Sequence, residues 1–315
     1  MLLIIPYAAS HSFGASDDGN ALPRPRLQKL LGLMQLDRQW LEDPQSSLCM
    51  PHERAMADVL GWDAQSQALP WAALQVARQG AVTTQAWAWM TPCHWQVGMD
   101  QVLMPDPQAL ALTEAQSKAL MHAVSPLLHE DGLQLHWHDS HHWLLEGDLL
   151  DGLACASLER VCGHNVKHWL PQGPGARTLA RLQSEIQMLL YHHPVNETRE
   201  HQGQAPVNAF WLHGAGRLEN RASANRVAAR MPMELRDSAL RGDLQAWRMA
   251  WQDLDAGPVA ALLEHVQRSG EGTLILCSES RAQRFVARQA GGFERLLRKL
   301  RPTPLARHLQ ALTLP

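Results

Sequence analysis

Two kinds of segment alternate along this chain, and they cannot fold the same way. Leu2–Ile5, closed by Pro6, and Thr273–Cys277 are short, almost wholly apolar runs. They are too short for stable helices and read as strands buried on both faces. Between them lie stretches with apolar residues three and four apart. Residues 26–36 carry Leu27, Leu30, Leu31 and Met34; residues 176–191 carry Leu179, Leu182, Ile186, Leu189 and Leu190. That spacing predicts amphipathic helices. Strands of the first kind separated by helices of the second imply an α/β fold, a mostly parallel sheet flanked by helices.

Further elements follow from the same rules. Residues 51–60 read as a helix, with Pro51 in its first turn and Gly61 as its stop. Residues 69–77, 113–128 (with Thr113 as N-cap), 234–240, 243–254 and 259–269 also read as helices. Residues 85–90 alternate, placing Trp87 and Trp89 on one face of a strand. Strands are also expected at 97–104, 133–137, 142–146 and 206–213, and a long last helix at 281–298. Residues 10–22, the 192–208 segment and the 217–232 stretch read as connections. The Trp-rich middle reads as a smaller α+β lobe, residues 79–205, inserted into a core of residues 1–78 and 206–315.

Composition bounds the function. Apolar residues make up 45 % of the 315 and charged ones 19 %, enough to bury a core. A net charge of -3 gives no electrostatic footprint for nucleic acid. No run reaches the roughly 20 apolar residues a membrane span needs, and the apolar start lacks the basic flank of a signal peptide. Five cysteines with no CxxC pair point to reduced thiols and a cytoplasmic location.

Three constellations could carry chemistry. The first runs from His192 to Gly216. It brings His193, Asn196 and Arg199 to a Pro-containing loop, and Asn208, His213, Gly214 and Gly216 to a strand and its Gly-rich end. Ligands bind at the C-terminal ends of strands in α/β sheets, and an arginine there can clamp a carboxylate or phosphate. A packed hinge without ligand is the other reading. The second, residues 136–143, sets His136 and His138 on one strand face, with His141 and His142 across a turn from Asp139. It is either a metal site or a polar hairpin edge. In the third, Cys93 adjoins His94, but strand neighbours point to opposite faces, which disfavours a thiol dyad. His52 and Glu53, in the 51–60 helix, complete the candidates for catalysis.

The pattern H-P-V-N-x-x-R followed by N-x-x-W-L-x-G-A-G, residues 193–216, resembles the archaeal-type cofactor-independent phosphoglycerate mutases of the alkaline phosphatase superfamily. Residues 25–30, 55–63, and 254–255 leading to 273–277 resemble further parts of those enzymes, in the same order. Pro51–Ala55, Thr91–Trp95, Gln187–Tyr191 and the 193–216 segment together resemble a bacterial family of RpfE-type regulatory proteins.

The resemblance implies an alkaline-phosphatase-like core, two divalent metals and a serine that is transiently phosphorylated. The sequence departs from that pattern. Where the family has its first Asp ligand, this chain has Pro6-Tyr7-Ala8-Ala9, with Asp17 and Asp18 further on. Its nucleophile turn is Pro51-His52-Glu53-Arg54, with Ser46 and Ser47 out of register. The D-x-x-x-H motif has no counterpart, and the closing G-D-H-S motif falls at Cys277-Ser278-Glu279-Ser280. The expectation is therefore a mutase-like protein with lost ligands and no cofactor. It would regulate, or bind a small anionic metabolite or a protein partner, through His193, Asn196, Arg199, Asn208, His213, Gly214 and Gly216. The alternative is an active phosphotransferase or hydrolase using manganese or zinc and relocated residues.

Overall fold

The computed structural model describes residues 1–10, 13, 22–81, 84–219, 229–288, 308–309 and 311–312. The chain forms two compact units, residues 1–64 with 226–315, and residues 65–225. The first opens with β1 (Leu2–Ile5), α1 (Pro25–Gly32), β2 (Met34–Leu41) and α2 (Pro51–Leu60). The second holds α3 (Trp71–Arg78), β3 (Trp87–Cys93), β4 (Gln96–Val97), β5 (Val102–Leu103), α4 (Glu114–Glu130), β6 (Gln134–Trp137) and β7 (Trp143–Glu146). It continues with α5 (Leu158–Val161), α6 (Ala176–Tyr191), α7 (Pro194–His201) and β8 (Ala209–Gly216). The first unit then resumes with β9 (Ala229–Arg230), α8 (Glu234–Leu240), α9 (Leu244–Leu254), α10 (Ala260–Ser269), β10 (Thr273–Cys277) and β11 (Arg281–Ala287).

In the first unit the strand order is β2-β11-β10-β1-β9. β1 lies parallel to both β10 and β9, whereas β11 runs antiparallel to β10 and to β2. The sheet is thus mixed, with a parallel centre, rather than mostly parallel. Leu3, Ile5, Leu274 and Leu276 face a core shared with α1, α9 and α10. Ile4, Ile275 and Cys277, which alternate with them, are equally buried, and α2 packs on β1, β10 and β11. Each such aliphatic side chain contributes about 1.5–3 kcal/mol on burial.

The second unit has one antiparallel sheet, β6-β7-β3-β8. One face (Ala88, Met90, Trp143, Leu145, Phe210, Leu212) packs on α4 and α6. Trp87 and Leu144 on the other face pack on Ala72, Ala73 and Val76 of α3, with Trp89 beside them. The expected strand at 206–213 and helix at 69–77 therefore belong with β3, which shifts the division of the chain to residues 64/65 and 225/226.

Four sequence expectations need correction. Residues 281–287 form a strand rather than the start of a helix, and 289–298 lie outside the described residues. β2 carries one extra residue, Asp37, against β11: Arg284 pairs with Arg38, but Phe285 with Leu36. Such a bulge breaks the alternation by which a strand is read. The 26–36 helix stops at Gly32, and Met34 already belongs to β2. The strand at 97–104 is a hairpin, β4 with β5, closed by Gly98 N–H donating to the Gln101 carbonyl at 2.8 Å. Finally, 194–201 is a helix rather than a loop, with Pro194 in its first turn and the His193 side chain as its cap. The connections at 10–22 and 217–232 fall largely outside the described residues.

Candidate functional site

The His193–Gly216 segment lies within the second unit, and its polar groups are engaged by backbone. Asn196 is 2 % exposed. Its Nδ2 donates to the Leu190 and Val207 carbonyls at 2.8 and 2.7 Å, and its Oδ1 accepts from Val207 N–H at 2.8 Å. Arg199 is 1 % exposed. Its Nε and one terminal nitrogen donate to the Ala205 and Leu110 carbonyls, each at 2.8 Å, and its other nitrogen reaches Gln116 Oε1 at 3.3 Å. Burial lowers its pKa, and the carbonyl dipoles replace a counter-anion.

Asn208 imitates a strand neighbour for Trp95. Its Oδ1 accepts from the Trp95 N–H at 2.7 Å and its Nδ2 donates to the Trp95 carbonyl at 3.0 Å. His193 Nδ1 accepts from Val195 N–H at 3.2 Å, and burial pushes its pKa down, which suits a neutral capping ring. His213 Nε2 lies 3.1 Å from Thr91 Oγ1.

Gly214 and Gly216 are strand residues of β8 rather than a turn. Gly214 has φ +60°, and a Cβ there would stand 2.9 Å from Trp71 Cβ. It is glycine because α3 presses on β8 at that point. Gly214→Ala is expected to lower the stability of the second unit by about 1–3 kcal/mol, read as an earlier midpoint in denaturant unfolding.

The weaker catalytic candidates are also placed. Cys93 is fully buried; burial, then Cys162, pushes its thiol well up against a weaker opposing hydrogen bond from Trp95. Such a thiol does not supply a thiolate. His94 Nδ1 donates to the Pro206 carbonyl at 2.8 Å. Glu53 accepts from Met50 N–H at 2.7 Å and caps α2. His52 is 2 % exposed, its ring 6.5 Å from that of Tyr7. His52 and Glu53 belong to the first unit, Cys93 and His94 to the second.

The C-terminal ends of the parallel strands β1 and β10 form the other candidate site, in the first unit. Ala8 N–H donates to the Cys277 carbonyl at 2.7 Å. Tyr7, Ala8 and Ala9 are all buried, and Tyr7 sits in the left-handed region at φ +53°. For a bulky residue that is strain, of a kind that gathers at functional sites. Ser10 Oγ donates to Glu279 Oε1 at 2.6 Å. Ser278 Oγ donates to the Leu312 carbonyl at 2.7 Å and accepts from Arg281 N–H at 3.1 Å.

Upstream of α2, Ser46 donates to Asp43, and Ser47 donates to Glu42 and to the Cys49 carbonyl. Arg54 Nε holds Glu42 at 3.1 Å. Asp255, in a π turn of residues Asp255–Val259 between α9 and α10, accepts from Arg26 and Leu27 N–H and so caps α1.

A two-metal centre needs several carboxylates and imidazoles converging with free lone pairs. Among the described residues no three His, Cys, Asp or Glu side chains meet that requirement. At the end of β1 the chain offers Tyr7, Ala8 and Ala9, and Glu279 at the end of β10 accepts from Ser10. This donor set does not fit a pair of divalent ions. The sequence had shown Ser10 only as a loop residue; its pairing with Glu279 spans 269 positions and leaves no local signal.

No family model matches the chain. It is 26 % identical over 123 residues to a probable 2,3-bisphosphoglycerate-independent phosphoglycerate mutase of Geobacter sulfurreducens. That match takes in 39 % of this chain and 31 % of the relative, so it spans about a third of the curated protein's length. Among solved structures, a cofactor-independent phosphoglycerate mutase from Thermoplasma acidophilum aligns at TM-score 0.37 and 14 % identity, over 92 % of this chain and 90 % of that one. The PH0037 protein from Pyrococcus horikoshii aligns at TM-score 0.49 and 14 % identity, over 91 % and 86 %. The chain is thus similar in sequence to a cofactor-independent phosphoglycerate mutase, over part of each length.

Proposed function

We propose that this chain is a phosphoglycerate mutase-like protein of alkaline-phosphatase type in which two-metal phosphoryl transfer has been lost. Its fold serves binding instead. It acts in the cytoplasm as an RpfE-type regulatory protein, recognising a small anionic metabolite or a protein partner. The observation that carries this reading is the end of β1. Tyr7, Ala8 and Ala9 are buried where a metal-binding carboxylate belongs, and Glu279 is hydrogen-bonded to Ser10. Among the described residues no carboxylates converge there beyond Glu279, which Ser10 engages, so the oxygen donors that would draw a pair of hard cations to a phosphoryl group are not assembled. A mutase-like fold with a changed site fits a protein retained for recognition.

The test is turnover. The purified protein is incubated with 3-phosphoglycerate and excess manganese, and 2-phosphoglycerate is measured. No turnover is expected, while direct titration with phosphoglycerate reports any binding. Turnover that disappears on chelation would overturn the proposal and favour an active phosphotransferase with relocated ligands.

A further inference from the structure

The turn between β6 and β7 crowds imidazoles together. The sequence leaves residues 136–143 open between a metal site and a polar hairpin edge, and among the described residues no three His, Cys, Asp or Glu side chains are placed to hold a metal ion. Asp139 builds the turn instead. Its Oδ1 accepts from the backbone N–H groups of His141 and His142, both at 2.8 Å, and its own N–H donates to the His142 carbonyl at 3.0 Å. The His142 ring lies against the same carboxylate, with Nδ1 at 3.0 and 3.1 Å from the two oxygens.

The neighbouring rings have an anion within reach. His136 Nε2 is 3.0 Å from Glu146, and His138 Nε2 faces Asp139 at 3.9 Å. The His138 and His142 rings pack edge-on against Trp89, with centroids 4.9 and 5.9 Å from it. His141 differs. Its Nε2 is sealed from solvent and has no hydrogen-bond partner among the described residues. A neutral ring meets that environment by carrying its hydrogen on Nδ1 and a bare lone pair on Nε2. A protonated ring does not, because both nitrogens then carry hydrogen, and a buried charged N–H without an acceptor is strongly unfavourable.

Three titratable groups act on the ring: His142 and Asp139 of its own turn, and Asp106 of the segment preceding residues 107–110. The two carboxylates favour the imidazolium and His142 opposes it. Burial, followed by His142, outweighs the carboxylates and holds the His141 pKa below its ordinary value.

We infer that His141 is a proton-operated latch on the β6–β7 turn, closed while its ring is neutral and seated, and loosened when the ring is protonated and leaves its seat. Linkage fixes the sign. A released ring, with the ordinary value of about 6.5, takes up a proton more readily than the seated one. The seat therefore holds at full strength above that value and weakens as pH falls through it. Asp139 is not the source of this response. Burial acts to raise its pKa, but the hydrogen bond and charge of His142 and the two backbone N–H groups outweigh burial and hold it well below the usual carboxylate range, so it stays ionised in mild acid. Loosening the turn frees the two N–H groups that Asp139 holds and uncovers the Trp89 edge on which His138 and His142 rest. Mild acid thus changes the surface that the second unit presents.

This latch stands apart from the question of mutase turnover. The test is hydrogen–deuterium exchange of the full chain at about pH 7.5 and about pH 5, corrected for the intrinsic effect of pH on exchange. In the wild type, amides of residues 138–143 are expected to lose roughly tenfold or more in protection at the lower pH. In His141→Gln, which carries no titrating ring, the loss is expected to stay under about threefold, and His138→Gln is expected to respond as the wild type does. Proton NMR titration of the wild-type His141 ring needs no variant to fold, and is expected to give a midpoint below about 6.5. Equal protection at both pH values, a His141→Gln protein that loosens as much as the wild type, or a His141 ring that titrates at or above its ordinary value would each overturn the inference.

Discussion

Arg199→Ala is expected to lower the stability of the second unit by about 3–5 kcal/mol. The guanidinium is buried and ties the end of α7 to the Ala205 and Leu110 carbonyls and to Gln116 on α4. Removing it leaves the buried Leu110 carbonyl, and the partly buried Ala205 carbonyl, without this donor and opens a cavity the size of the side chain. Arg199→Lys is expected to recover only part of the loss, because one ammonium cannot reproduce a fork with three directions. The measurement is urea unfolding followed by tryptophan fluorescence. It also discriminates between roles: an arginine kept to hold an anion would lose ligand affinity on substitution by Lys while the unfolding midpoint stayed put.

Asp255→Ala is the second large effect, expected at about 3–4 kcal/mol in the first unit. The carboxylate is 4 % exposed and has two tasks. It accepts from Leu27 N–H at 2.8 Å and Arg26 N–H at 3.3 Å, closing the first turn of α1, whose own N-cap position is Arg24. It also offsets the charge of Arg24, whose guanidinium lies over the Trp251 ring at 4.5 Å. Burial depresses the Arg24 pKa to about 10 even with Asp255 opposing the shift. Without the aspartate a buried cation loses its main counter-charge. Asp255→Asn is expected to fall between wild type and Ala, since an amide oxygen still accepts from one backbone N–H. Thermal unfolding of the three proteins at pH 7 checks the order.

Much of the fold is legible in the sequence because its signals are local. The helix at residues 51–60 is marked by Pro51 and Gly61, that at 114–130 by Thr113 as its N-cap, and that at 176–191 by its apolar stripe. β1 and β10 are legible as apolar runs. β2 is not, since most of its residues are exposed and the Asp37 bulge breaks its alternation; β11 shares that irregular register. Sheet membership of β8 was illegible for another reason. Its pairing partner β3 lies more than a hundred residues earlier, and no local pattern encodes it.

The site divides the same way. Asn196, Arg199 and Asn208 stand out as polar residues beside Pro194 and the glycines that end β8. What they bind is backbone: the carbonyls of Leu110, Leu190, Ala205 and Val207, and both main-chain groups of Trp95. Main-chain atoms are the same at every position, so a sequence does not reveal which of them a side chain will reach.

The register of β1 sets how long that strand waits for its partners during synthesis. Leu2 lies beside Thr273 on one side and Ala229 on the other. A nascent chain therefore exposes an apolar strand with no neighbour until more than two hundred further residues have been made. Residues 65–225, contiguous and self-contained in their pairing, can close first. The first unit is left as the slow, late-assembling half, paying a long loop closure before its central strands meet. In the cell, its yield would then depend on how well Leu2–Ile5 is shielded during that interval, and less on the stability of the finished sheet.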